Sequence, residues 1–129
     1  QMRDVKRAYE LADVFLLSSR LDPMPNVAID AAVAGVPIVC FEGASGTAEI
    51  LAADPVTRGA VAPHLDAAAA AEVIVDLAAD PDRHRRLSKA TKDLARRTFD
   101  MSRYAARIDA LGRDAMDVMA QRERDVATI

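Results

Sequence analysis

Two aspartates, Asp22 and Asp30, are the residues of this sequence best placed to do chemistry. They are separated by seven residues, and every residue from Val27 to Val36 except Asp30 is apolar or small. A helix that is apolar all round is predicted to be buried, and a buried carboxylate is costly unless it accepts hydrogen bonds. Asp30 is therefore predicted to have a hydrogen-bond partner. Each aspartate also has a structural explanation, because Asp22 can cap a turn before Pro23 and Asp30 would face solvent if the helix lay at a sheet edge.

Short apolar runs on both sides of this helix predict the strands that position it. Residues 14–17 and 37–41 are apolar throughout, which is typical of strands covered on both faces of a parallel sheet. The helix between them is predicted over Asn26–Ala34, and Gly35 is placed to end it in a left-handed conformation. A helix that joins two parallel strands forms a right-handed crossover unit.

The remaining elements are assigned from helical spacing and apolar runs. They are helices over 3–12, 47–52, 67–77, 81–97 and about 100–122, and a weak third strand over 59–62. Asp66 and Asp80 are predicted to cap two of these helices. Apolar residues from Met101 to Met119 are predicted to pack in the core. The fold class is therefore α/β, a partial doubly wound (Rossmann-like) parallel sheet with helices on both faces and a C-terminal helical tail, in which residues 123–129 are disordered.

Length and charge limit the classes of function. A chain of 129 residues suits one domain, and a net charge of -3 argues against a nucleic-acid partner. Seven Lys or Arg residues lie within 83–97, but such a run on a helix is more often a solvated face than a phosphate-binding surface. His64 and His84 have no companions at metal-ligand spacing, and His84 is expected to be exposed. We therefore predict no metal site.

The single cysteine, Cys40, has no partner for a disulfide and favours a reducing compartment. No apolar run approaches the roughly 18 residues of a membrane span, so the predicted location is cytoplasmic. Because the chain begins with Gln and enters a helical pattern at once, we expect it to be a piece of a longer protein.

Several short motifs follow one another in a fixed order. They are Ala12-Asp-Val-Phe-Leu-Leu-Ser-Ser-Arg-Leu-Asp22, the pair Asp22 and Asp30, Gly35-Val-Pro37, Ser45-Gly46-Thr-Ala-Glu49, Gly59-Ala-Val-Ala-Pro63, Asp80-Pro-Asp-Arg-His-Arg-Arg-Leu87 and the segment 99–104. In this order they resemble the retaining glycosyltransferases of family 4, the group 1 enzymes with the GT-B fold. Each motif alone is weak, but their shared spacing extends the resemblance from about residue 5 to about residue 111. That family has Glu at both positions where this chain has Asp.

The resemblance implies a role for each residue around the helix start. Asp22 would be the catalytic position, where the carboxylate accepts hydrogen bonds from hydroxyls of the donor sugar, and Asp30 would hold the ribose of the nucleotide. The backbone N–H groups of Met24, Asn26 and Val27 would face the diphosphate, because a helix start exposes unpaired donors that suit an anion. No cofactor is implied beyond the nucleotide-sugar donor, which is a substrate.

The replacement of both Glu residues by Asp withdraws each carboxylate by one methylene, about 1.2 to 1.5 Å. A charged hydrogen bond is typically worth roughly 1.5 to 3 kcal/mol, so the lost reach matters. Three interpretations follow: the loop lies further inward, the donor differs, or the protein has little or no activity.

The resemblance implies that residues 1–122 are the C-terminal half of a GT-B nucleotide-sugar-binding domain. Its parent would transfer a sugar from a nucleotide-sugar donor to an acceptor with retention. Two alternatives are a GT-B sugar-nucleotide epimerase and a degenerate GT-B module with a binding or assembly role only. The partners expected are a nucleotide sugar and an N-terminal acceptor domain outside this chain. A homodimer is one way to cover the cut edge of the sheet, and peripheral membrane association of the full-length protein is compatible with the family.

We predict that the isolated chain does not turn over a nucleotide sugar. In the family that it resembles, the acceptor site and the basic residues that neutralise the diphosphate lie outside the matching segment. The measurement is release of free nucleotide from a nucleotide sugar by the purified polypeptide. Turnover above the level of a buffer control would contradict this prediction.

Overall fold

The computed structural model describes residues 5–127, without the side chains of residues 123, 124, 126 and 127. The chain divides into two compact units, residues 1–98 and residues 99–129. The first unit contains α1 (Val5–Leu11), β1 (Phe15–Leu17), α2 (Asn26–Ala34), β2 (Ile38–Phe41), α3 (Gly46–Ala53), a 3₁₀ turn (Thr57–Ala60), β3 (Val61–Ala62), α4 (Ala67–Ala79) and α5 (Pro81–Thr98). The second unit contains α6 (Met101–Ala127).

The three strands form one parallel sheet in the order β1-β2-β3. Leu17 lies opposite Cys40, and Cys40 lies opposite Val61, so β2 is the central strand. Helices pack against this sheet and connect its strands. The predicted fold class, a partial Rossmann-like α/β fold, is confirmed.

The core lies where α4 and α5 meet β2 and β3. Its members are small or aliphatic apart from one aromatic ring, and they are Val39, Phe41, Ala44, Ala60, Ala62, Ala70, Leu77 and Leu87. Many of these side chains are alanine, so the elements approach one another closely and few side chains fill the space. Each large aliphatic side chain of this core therefore buries more apolar area than an alanine does.

Helix ends agree with the sequence-based predictions. Gly35 has φ of 90°, and its N–H donates to the carbonyl oxygens of Ala31 and Ala32, as expected of a left-handed helix end. Asp66 caps α4 by accepting a hydrogen bond from the Ala69 N–H at 2.9 Å. These ends are specified by residues close in sequence, which is why the sequence predicts them.

Asp80 caps α5 and is followed by Pro81 at the first helical position, also as predicted. Its carboxylate accepts hydrogen bonds from the N–H groups of Arg83 and Asp82. The bond from the Arg83 N–H is the main reason that the pKa of Asp80 lies below its usual value. The charged form of this exposed carboxyl is therefore favoured by the folded helix end.

Burial differs from the prediction on two elements of the first unit. On β1, Leu16 is 47% exposed, so this edge strand is not covered on both faces. On α2, Val27 and Val33 are each 49% exposed and Asp30 is exposed. The prediction of an all-round buried helix is wrong, because α2 buries only the side that carries Ala28, Ala31 and Ala32.

Two smaller predictions also need correction. The third strand is shorter than expected, because Gly59 and Ala60 belong to the 3₁₀ turn that precedes it. His84 is half-buried rather than exposed, since its Nε2 lies 2.7 Å from the carbonyl oxygen of Asp13. This hydrogen bond ties α5 to the turn before β1.

Helix α6 departs from its prediction in burial and in length. Met101, Tyr104 and Met119 are all more than half exposed, so the expected core packing of this helix is wrong. The helix also continues to Ala127, beyond the predicted end near residue 122, and into the segment expected to be disordered. Residues 3 and 4 of the predicted first helix and residues 128 and 129 of the predicted disordered tail lie outside the described residues.

Cys40 is a buried free thiol on β2, the central strand of the sheet. Burial raises the pKa of this thiol to about 11, because the thiolate would lose its hydration. The group is therefore a small apolar side chain at neutral pH.

Substitution of Leu77 tests how strongly this core holds the first unit together. Leu77 is 2% exposed, and Leu77→Ala is expected to reduce the free energy of unfolding by about 2 to 5 kcal/mol, because it leaves a cavity under α4. Urea denaturation measures the loss. Val75→Ala is the matched control on the same helix: Val75 is 65% exposed, and its effect is expected to stay within about 0.5 kcal/mol. Equal losses in the two variants would contradict the described core.

Candidate functional site

The candidate site begins where the loops after β1 and β2 run side by side. The Asp22 N–H donates to the Ala44 carbonyl oxygen at 2.9 Å, and the Gly46 N–H donates to the Pro23 carbonyl oxygen at 2.9 Å. Asp22 and Ser45 form an isolated parallel bridge. The two loops thus continue the parallel pairing past the carboxyl ends of the strands, which is where open α/β sheets bind their ligands.

Gly46 permits this close approach because it has no side chain. A Cβ atom built at this position would lie 2.4 Å from the Pro23 carbonyl oxygen and 2.8 Å from Met24 Cε. A separation of 2.4 Å to a backbone atom is not tolerated without a shift of one of the loops. The backbone at Asp22 is therefore positioned by a glycine more than twenty residues away.

Side chains on both loops strengthen the contact. Ser45 caps α3 by accepting a hydrogen bond from the Ala48 N–H at 3.1 Å, and Ser45 itself is buried. Thr47 Oγ1 donates to Met24 Sδ at 3.6 Å. Met24, one of the predicted donor-binding residues, thus lies between its own loop and the start of α3.

The start of α2 offers free backbone donors beside this contact. Pro25 is the N-cap residue and gives no side-chain cap. Its carbonyl oxygen accepts from the N–H groups of Ala28 and Ile29. The N–H groups of Asn26 and Val27 have no acceptor among residues 5–127, and both residues are exposed. These are two of the orphan donors that every helix start presents, and here they face solvent.

Asp30 lies on a different surface from the one that the prediction of a buried helix suggested. It lines a groove of about 580 Å³ between α1, α2 and α5, together with Lys6 and Lys92. The predicted hydrogen-bond partner of a buried Asp30 is not needed, because its carboxylate is exposed. Tyr9, another residue of this groove, joins α1 to α2 through a hydrogen bond from its hydroxyl to the Val27 carbonyl oxygen at 3.2 Å.

The predicted site residues therefore fall into two surroundings. Asp22 and Met24 are held in the loop contact, and both are half-buried. Asn26 and Val27 begin α2, and Asp30 follows Asn26 by four residues, which places the two on one side of the helix. Gly46 was recognised only as part of the motif Ser45-Gly46-Thr-Ala-Glu49, and its role in the contact between the two loops was not predicted.

His64 is occupied by a structural contact. Its Nδ1 lies 2.8 Å from the Glu42 carbonyl oxygen, which joins the loops after β2 and β3. Within the described part of the chain, no group of three or more His, Cys, Asp or Glu residues is placed to hold a metal ion. Across the same residues, none of the helices combines the length and apolar character that crossing a membrane requires.

Comparison with protein families gives a match over most of the chain. A family model described as "Glycosyl transferases group 1" matches residues 1–94, which include all of the candidate-site residues. Searches for similar curated proteins and for similar solved structures gave no match.

Substitution of Gly46 tests the contact between the two loops. Gly46→Ala is expected to cost about 1 to 3 kcal/mol, because the new methyl group overlaps the Pro23 carbonyl oxygen. The Asp22 amide is expected to exchange faster with solvent, since its acceptor at Ala44 moves away. Urea denaturation and amide hydrogen exchange measure the two effects.

Gly59→Ala is the control for this substitution. A Cβ atom at Gly59 would meet nothing within 4 Å, so this variant is expected to change stability by no more than about 0.5 kcal/mol. Unchanged protection of the Asp22 amide in Gly46→Ala would show that the loops are not held in the way described.

Proposed function

Because the chain belongs to the group 1 glycosyltransferase family, we propose that it supplies the donor-facing part of an enzyme that transfers a sugar from a nucleotide-sugar donor to an acceptor. We further propose that the enzyme has the GT-B architecture and retains the anomeric configuration of the sugar. The observation that carries the proposal is the uncapped start of α2, which lies directly after the loop that holds Asp22.

The start of α2 suits the diphosphate of the donor. The free N–H groups of Asn26 and Val27 add to the partial positive charge of the helix end, and both favour an anion there. Met24 also has a backbone N–H in this segment, whereas Pro23 and Pro25 have none to give. The prolines fix the backbone that leads into α2, so the donors are oriented before a ligand arrives.

In this proposal the carboxylates of Asp22 and Asp30 accept hydrogen bonds from hydroxyl groups of the donor. In this proposal Asp22 accepts hydrogen bonds from the sugar, and its reach depends on the contact of its loop with Gly46. Asp30 is exposed and lies on the same side of α2 as Asn26, so it is free to accept from the ribose. Lys92 borders the same groove and attracts a phosphate group that reaches it, whereas Lys6 already pairs with Glu10 at 3.9 Å.

In this proposal the start of α2 and the loop before it contribute two catalytic effects. Orientation of the donor and stabilisation of the departing diphosphate lower the barrier without a protein acid or base at this position. The helix start supplies the second effect, because its N–H groups strengthen their hydrogen bonds as negative charge develops on the leaving group. The short side chains of Asp22 and Asp30 place the sugar and ribose nearer to the backbone than Glu would.

A degenerate binding or assembly module is the second candidate. It is favoured by the aspartates, which are both one methylene shorter than the residues of the active family, and by the separate surroundings of Asp22 and Asp30. The double variant Asp22→Glu with Asp30→Glu tests whether the short side chains reflect lost catalytic activity or a different donor. Activity gained by the double variant in the longest form of the protein would indicate decayed catalysis.

Titration with UDP and GDP tests the proposed donor site. We expect chemical-shift changes at the backbone amides of Asn26 and Val27, because these groups meet the phosphates. Asp30→Ala is expected to weaken binding about tenfold or more, the loss of a charged hydrogen bond. NMR of the chain and calorimetry of a longer form that contains it are the measurements.

Asp82→Ala is the matched control, since Asp82 is exposed and lies outside the proposed site. If Asp30→Ala still binds the nucleotide and the nucleotide still shifts the amide signals of α2, the proposed contact of Asp30 with the ribose is rejected. The proposed phosphate site at the start of α2 is not affected by that result. An absence of nucleotide binding in the longer form would reject the donor site and favour the degenerate module.

A further inference from the structure

His64 uses only one of its two ring nitrogens in the structure. Its Nδ1 lies 2.8 Å from the Glu42 carbonyl oxygen. Because a carbonyl oxygen can only accept a hydrogen bond, the neutral ring carries its proton on Nδ1 and a lone pair on Nε2. Among residues 5–127, Nε2 has no hydrogen-bond partner, and His64 is exposed. The contact between the loops therefore leaves one acceptor atom of this ring without a role in the fold.

The turn that carries His64 contains a strained residue. Leu65 has φ of 55°, the left-handed conformation that favours glycine, and among the described residues it is the one non-glycine residue with a positive φ. The Asp66 N–H closes the turn by donating to the Pro63 carbonyl oxygen at 3.0 Å. Strain of this kind persists where the surrounding contacts fix the backbone, and it is concentrated at functional sites. The position of His64 is thus fixed by the turn as well as by its own ring.

His64 lies on the same edge of the sheet as the candidate donor site. The Asp22 N–H pairs with the Ala44 carbonyl oxygen, and the Glu42 N–H pairs with the Ala62 carbonyl oxygen at 2.8 Å. The loops after β1, β2 and β3 thus form one hydrogen-bonded row at the carboxyl ends of the strands, where open α/β sheets bind their ligands. Because β2 separates β1 from β3, His64 lies about two strand spacings, roughly 10 Å, from Asp22 along this row.

We propose that His64 is a binding residue for the acceptor, a sugar from which Nε2 accepts a hydrogen bond of one hydroxyl group. The inference rests on the proposed function, in which Asp22 holds the donor sugar. A pyranose ring with bonds of about 1.5 Å spans roughly 6 Å between opposite hydroxyl oxygens, so a sugar held by Asp22 does not also reach His64. His64 is therefore assigned to the second sugar of the reaction, which lies beside the donor along the row of loops.

The expected N-terminal acceptor domain is compatible with this assignment. In the proposed function the acceptor lies between that domain and the carboxyl edge of the sheet, so a residue on this edge meets the acceptor from the donor side. The inference therefore does not require an open surface in the longer protein. A neutral imidazole offers an acceptor atom without a charge, which suits a hydroxyl group better than a phosphate.

The tautomer of His64 is the first test. Nitrogen-15 NMR of the 129-residue chain, at a pH where the same spectra show a neutral ring, is expected to find the proton on Nδ1 and none on Nε2. The sequence has two histidines, and His84→Gln removes the signals of the other ring. A proton on Nε2 of the neutral His64 ring would overturn the proposal, because that nitrogen could then not accept a hydrogen bond.

Two variants separate contact with the acceptor from contact between the loops. In His64→Asn the side-chain amide replaces the Nδ1–H and keeps the bond to the Glu42 carbonyl oxygen, but nothing replaces Nε2. His64→Ala removes both groups. The probe is methyl α-glucopyranoside, added to a longer form of the protein saturated with UDP or GDP, and saturation-transfer NMR measures its binding. We expect its dissociation constant to rise about three- to tenfold in both variants, the loss of one neutral hydrogen bond.

His84→Gln is the matched control, since His84 contacts the turn before β1 at the other end of the sheet, and its affinity for the probe is expected to be unchanged. Urea denaturation shows whether each variant is folded. Wild-type affinity in a folded His64→Asn would show that His64 only joins two loops, and would overturn the proposal. Weaker binding of the nucleotide itself in His64→Asn would place the donor at His64, and nucleotide binding without any binding of the probe would leave no acceptor there; both results overturn it. If the wild type binds neither nucleotide, the proposed donor site itself is rejected, so the two failures are distinguished.

Discussion

The hydrogen bond from the Gly46 N–H to the Pro23 carbonyl oxygen is the constraint on which the candidate site depends. It brings two loops so close that only glycine fits at position 46. The strands set up this approach, because Leu17, the last residue of β1, lies opposite Cys40, one residue before the end of β2. Hydrogen bonds hold the two loops side by side past the strand ends, so the position of the Asp22 backbone follows from the sheet register. The site is thus an extension of the sheet.

The features that could be predicted from the sequence are those encoded within a few residues. Gly35 and Asp66 end and begin helices through contacts with residues no more than four positions away. The strand around Cys40 was predicted from its wholly apolar sequence. The structure buries all four residues of this strand. Burial of α2 and α6 was predicted wrongly, because burial depends on which surfaces meet in space. A pattern of apolar residues shows that a helix can be covered without showing that it is.

The helix of the candidate site could be predicted from the sequence, whereas the contacts around it could not. The apolar run between the two strands located the start of α2 correctly at Asn26. The contact of Gly46 with Pro23 joins segments that only the fold brings together. Asp30 shows the same limit, since its exposure follows from the groove that α1 and α5 form beside α2. The residue types could be interpreted from the sequence, but the residues that lie beside them in space could be identified only from the structure.

The burial of Cys40 has a consequence for the reactivity of the whole chain. Burial raises the pKa of Cys40 to about 11, so the thiol is protonated at pH 7, and the thiolate is the species that reacts with oxidants and alkylating agents. Since this is the sole cysteine of the sequence, the folded chain is close to inert toward thiol chemistry. The rate at which a thiol reagent consumes Cys40 therefore reports the opening of the central strand, and the protein carries its own probe of unfolding.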